Sequence, residues 1–76
     1  MREIELDVRG KPAPEPLILA MEAVDSLGEN DILRLVVHRE PHMLFAELSE
    51  KRVPWKIAER GNPDWVIRIG KGLLLE

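Results

Sequence analysis

The chain has 76 residues, with eleven basic and fourteen acidic side chains, a net charge of −3 and no cysteine. That length supports one domain, which buries only about 60% of its unfolded surface around one core and leaves no room for a deep pocket. The missing thiol excludes disulfides, thiolate nucleophiles and Cys-type zinc sites, and the scattered basic residues offer no electrostatic footprint for nucleic acid or an anionic membrane.

Residues 3–8 alternate: Ile4, Leu6 and Val8 face one way, and Glu3, Glu5 and Asp7 the other. A period of two predicts a strand with one buried and one wet face. The run 9–16 carries Pro12, Pro14 and Pro16, which rule out a strand but suit a first helical turn. Leu17, Met21, Val24 and Leu27 then recur at helical spacing, predicting a helix over about 14–27 that Gly28 stops. Glu29-Asn30-Asp31 is a turn, and residues 32–38, rich in aliphatic and β-branched types, predict a central strand.

Glu40-Pro41 opens a second helix, 41–51, with Leu44, Phe45 and Leu48 as its apolar stripe. Val53, Trp55 and Ile57 point inward from a third strand, 53–60. Gly61-Asn62-Pro63-Asp64 signals a hairpin. Trp65, Ile67 and Ile69 alternate on the last strand, which Gly70-Lys71-Gly72 ends. The terminal Leu75-Glu76 has the character of a cloning remnant. Trp55 and Trp65, flanking the hairpin, are expected to pack as a pair, and Met21 and Met43 to fill the core.

The order β-α-β-α-β-β makes both crossovers parallel and right-handed, which puts both helices on one face of the sheet. The other face is then open, and Arg34 is expected to pair there with Glu5.

The run Asp7-Val8-Arg9-Gly10-Lys11-Pro12-Ala13-Pro14-Glu15-Pro16 resembles the Asp-x-Arg-Gly-x-x-Cys-Pro-x-Pro motif of the TusA/SirA-type sulfur carriers. The element order, Gly28 before the second strand and the Glu40-Pro41 step extend the resemblance over nearly the whole chain. The chain is more closely similar to a cysteine-less relative, the domain-of-unknown-function family 2249, in its Arg-Gly-x-Pro-x-Pro-Glu-Pro run and that family's His/Asp-rich stretch before the second helix. The resemblance implies an α+β two-layer sandwich of TusA-like fold. Its four-stranded mixed sheet has order 1-2-4-3, the last strand antiparallel and two helices on one face. The resemblance does not carry over sulfur transfer, because the nucleophile's position is Ala13 and persulfide chemistry needs a thiolate.

Helix N-termini near the carboxyl ends of the first two strands define an expected ligand edge, spanning 9–16 and 38–43. Arg9, Gly10, Lys11 and Ala13 come from its first half, and His38, Arg39 and His42 from its second. Arg9 and Arg39 are expected to emerge together and attract a phosphate, sulfate or carboxylate. The competing reading is that Asp7 and Arg9 brace the loop and Gly10 supplies an unusual φ.

Enzymatic signals are absent: Ser26 and Ser49 stand in no nucleophile motif, and no phosphate-binding glycine loop occurs. The leading expectation is a monomeric, non-catalytic binding module without a cofactor, presenting this edge to a small anion or a protein partner. A rival is a metal- or haem-linked redox accessory protein using His38 and His42 with Glu40 between them. A third is a sulfur-relay partner that docks without carrying sulfur. No apolar run is long enough to span a membrane, and the charged start Met1–Glu5 is not a signal peptide, so the expected location is the cytoplasm.

Overall fold

The computed structural model describes residues 2–76. Its elements are β1 (Arg2–Asp7), α1 (Glu15–Asp25), β2 (Asp31–Val37), α2 (His42–Glu50), β3 (Trp55–Glu59), β4 (Trp65–Ile69) and a C-terminal 3-10 turn (Lys71–Leu75). The sheet order is β1-β2-β4-β3. β1 runs parallel to β2, and β4 is antiparallel to both of its neighbours. This is the mixed two-layer topology that the family resemblance implies.

Alternation along β2 sends Leu33, Leu35 and Val37 to one face, where they meet Ala20 and Val24 of α1, Leu44 and Leu48 of α2, and Ile67 and Ile69 of β4. Both helices feed this one cluster and therefore share a face, as two right-handed crossovers require. Ile4, Leu6, Trp55 and Ile57 close the cluster from its flanks. The hydrophobic area removed from water here is the main stabilising term of the domain.

The opposite face is less open than the alternation predicts. The 3-10 turn, unread in the sequence, folds against the start of β2, and Ile32 beneath it is fully buried. Gly70 makes this approach possible: at φ +128°, its absent Cβ would lie 2.5 Å from the carbonyl oxygen of Asp31. Val36 and Val66 are also buried, beside the long stems of Arg9 and Arg34. Charged pairs cover the rest. Arg34 donates to Glu5 at 2.6 Å, the expected cross-strand pair. Arg68 donates to Glu3 at 2.8 Å and to Glu76 at 2.6 Å, so the terminal residue is tied into the sheet surface.

Three local expectations need correction. Gly28 does not stop α1; the helix ends at Asp25 with Ser26 as cap, and Gly28, without a left-handed φ, donates its N–H to Asp31 Oδ2 at 2.8 Å. It is α2 that ends on a left-handed residue, Arg52 at φ 58°. The tryptophans do not pair. The antiparallel register sets Trp55 opposite Ile69, at the far end of β4 from Trp65, and Trp55 instead stacks on Phe45 of α2 with centroids 4.2 Å apart. Met43 is 71% exposed rather than core filler, because it falls on the solvent side of the first turn of α2.

Candidate functional site

β1 ends at Asp7, and the chain turns outward through Arg9 and Gly10. Arg9 continues the wet side of the β1 alternation, which places its guanidinium over the sheet face away from the helices. There it donates Nε and Nη2 to Asp7 and Nη1 to Asp64, the last at 2.8 Å. The guanidinium and the Arg9 backbone N–H together hold the Asp7 carboxyl down at about 2. The two carboxylates in turn raise the pKa of Arg9. Gly10 adopts φ +79° and gives its N–H to His38 Nδ1 at 3.3 Å, joining the loop to the end of β2.

Beyond Gly10 the chain crosses to the helix side. Between the proline-rich loop that enters α1 and the segment that enters α2 lies an open groove of about 550 Å³. Its floor reaches Leu35 and Val37 of β2, and its walls include Leu17, Leu44 and Ala13. Pro12, Pro14, Pro16 and Pro41 line it as well. The rim carries two basic side chains, Lys11 and Arg39, against one carboxylate, Glu40, with His38, His42 and Met43 between them. A second hollow, about 270 Å³ on the other face, has the opposite balance: Arg9 and Arg34 against Glu5, Asp7, Glu59 and Asp64.

The polar side chains of the rim differ in what they already touch. Lys11, in the loop, lies 3.9 Å from Glu15, the first residue of α1, and His42 Nδ1 lies 3.5 Å from Glu40. Arg39 lines the rim and makes no ion pair with any described residue.

No curated protein matches the chain. The family described as "Uncharacterized conserved protein (DUF2249)" matches residues 5–71. The chain belongs to this family. A crystal structure of a SirA-like protein from Desulfitobacterium hafniense matches the DUF2249 chain with a TM-score of 0.71 and 24% identity, covering 91% of this chain and 95% of that one. That likeness establishes the fold.

Of the residues predicted for the ligand edge of this DUF2249 domain, Lys11, Ala13, His38, Arg39 and His42 all line the groove. Arg9 does not. The expected Arg9–Arg39 clamp is not formed, because one residue after the strand Arg9 is still on the β1 wet face and is claimed by Asp7 and Asp64. Gly10 sits at the crossing point and acts through its backbone. The trio His38, Glu40 and His42 does not converge either: His38 is engaged by Gly10, and the described residues contain no group of three His, Asp or Glu side chains placed to hold a metal ion. The sequence reading missed Leu17, Leu35, Val37 and Leu44 of the groove's apolar lining, because residues at helical and strand spacing are indistinguishable from core until the gap between the helices is known. It also missed Asp64, whose partner lies 55 positions away.

Proposed function

We propose that this DUF2249 domain is a non-catalytic binding module and that its ligand surface is the groove between the α1 entry loop and the start of α2. The observation that carries the reading is a concave apolar surface with one uncommitted cation, Arg39, at its rim. Small-ligand sites typically combine a mainly apolar lining of about 300–1,000 Å³ with a few polar groups that orient the ligand. The groove has that composition, and the second hollow does not.

Several features favour binding over catalysis. The groove lining contains no serine, threonine, tyrosine or cysteine. Its titratable groups are Lys11, His38, Arg39, Glu40 and His42, and the Glu40–His42 pair is solvent-facing, with the imidazole 77% exposed. A water-screened pair is poorly placed for proton transfer in a dry site. At the mouth, Ala13 stands where the sulfur carriers place their nucleophile. Among the described residues no helix is long and apolar enough to cross a membrane.

The test uses an amphipathic probe, 1-anilinonaphthalene-8-sulfonate, titrated into the isotopically labelled protein. The reading expects one saturable site with amide shifts confined to residues 10–17 and 35–44. Shifts spread over the surface, or centred on residues 59–66, contradict it.

A further inference from the structure

We propose that the groove of this domain takes a straight-chain monocarboxylic acid, with its alkyl tail between the two helices and its carboxylate on Arg39. The inference rests on the groove being the ligand surface and adds the chemical class of the ligand. Three observations select it.

The first is charge. The chain as a whole carries −3, yet the groove's charged rim has two cations and one carboxylate. Glu40 lies against His42 and Lys11 near Glu15, which leaves Arg39 as a single guanidinium free to form a forked pair. A single anionic head matches that supply; a polyanion does not.

The second is the floor. Half-buried Pro16 and Leu17 at the start of α1 form an accessible apolar base under the rim, with the buried core residues Leu35, Val37 and Leu44 behind them. A hydrated inorganic anion gains nothing from Pro16 and Leu17, whereas an alkyl tail covers their exposed apolar surface. Met43, 71% exposed at the mouth, is an unbranched and polarizable side chain able to follow tails of different length.

The third is the walls. Pro12, Pro14, Pro16 and Pro41 line the groove and have no N–H to donate. An extended peptide lying there would bury carbonyl groups without partners, a costly arrangement. A hydrocarbon chain asks for no such partners. The wall chemistry therefore favours an alkyl tail over a peptide backbone.

The experiment is calorimetric titration of butanoate, hexanoate, octanoate and decanoate, below their micellar concentrations, with octan-1-ol and octylammonium as matched controls. The dissociation constant is expected to fall by up to about fourfold per added methylene until the groove is filled. Octanoate is expected to bind more tightly than octan-1-ol by about fivefold, the scale of an exposed ion pair. Arg39→Gln should remove that advantage while leaving octan-1-ol binding unchanged, and Arg9→Gln should alter neither. Affinity independent of chain length, or equal affinity for octanoate and octan-1-ol, overturns the carboxylic acid assignment. If the anilinonaphthalene probe still maps to the groove, the groove remains the ligand surface; if that probe fails as well, both readings fall.

Discussion

Arg9 reaches Asp64 across 55 positions of sequence, its Nη1 donating to Oδ2 at 2.8 Å. With the forked pair to Asp7, this contact ties the loop after β1 to the β3–β4 hairpin on the sheet face away from the helices. The arginine of the family motif therefore braces the fold, while the groove that the same motif helps to line lies on the other side. Arg9→Ala is expected to lower the unfolding temperature modestly, because the brace is solvent-exposed. It should leave probe binding in the groove unchanged. Thermal unfolding and titration of the one variant check both halves, and loss of binding without loss of stability would contradict the assignment.

The same brace makes part of the stability depend on acid. The Asp7 carboxyl titrates at about 2 in the folded chain against an ordinary 3.8, chiefly through the hydrogen bonds from the Arg9 side chain and backbone. A carboxyl with a depressed folded pKa contributes stability above its unfolded pKa and loses it as pH falls toward the folded one. The contribution of Asp7 is thus complete above about pH 4 and fades toward pH 2. Asp31 and Glu76, whose pKa values are also lowered, by Arg2 and Arg68 first, add in the same sense. Urea unfolding from pH 5 to pH 2 should show Asp7→Asn less stable than wild type at pH 5, with the gap closing toward pH 2.

The closeness of the C-terminal turn to β2 gives a steric prediction. Gly70→Ala places a methyl group 2.5 Å from the Asp31 carbonyl oxygen at a φ of +128°. Relief requires the turn to lift from Ile32. A loss of about 1–3 kcal/mol is expected in denaturant unfolding. A neutral result would show that the turn does not clasp the strand.

Leu48 is the fully buried centre of the α2 contribution to the core. Leu48→Ala should cost roughly 2–5 kcal/mol, a large part of what so small a domain possesses. Chemical unfolding with an unchanged m-value would confirm a pure loss of packing.

How much of this was legible follows from the range of each interaction. Ile4 and Leu6 against Glu3 and Glu5 announce a strand because alternation is local, and the helical repeat of Leu17, Met21 and Val24 announces a helix for the same reason. The sheet order came with the resemblance carried by residues 7–16. Arg9–Asp64 was illegible because nothing in the sequence near either residue names the other. The side taken by Arg9 was in principle readable, since it extends the Glu3-Glu5-Asp7 parity by one step. The groove was not: Leu35 and Leu44 look like any core leucine until the space between two helix starts is known. Lys11, His38, Arg39 and His42 were found because polar residues at the carboxyl ends of strands stand out against an apolar background. The tryptophans misled because proximity to one hairpin says nothing about which end of each strand they occupy.

The most direct test of the central claim is occlusion of the groove mouth. Ala13 is exposed and lines the groove, so Ala13→Trp fills the opening without entering the buried core. Wild type and variant are to be titrated with 1-anilinonaphthalene-8-sulfonate under identical conditions, with circular dichroism confirming that both are folded. The account predicts saturable binding to the wild type and its loss, by at least about tenfold, in the folded variant. Equal binding to both folded proteins would contradict the claim that this groove is where the domain meets its ligand.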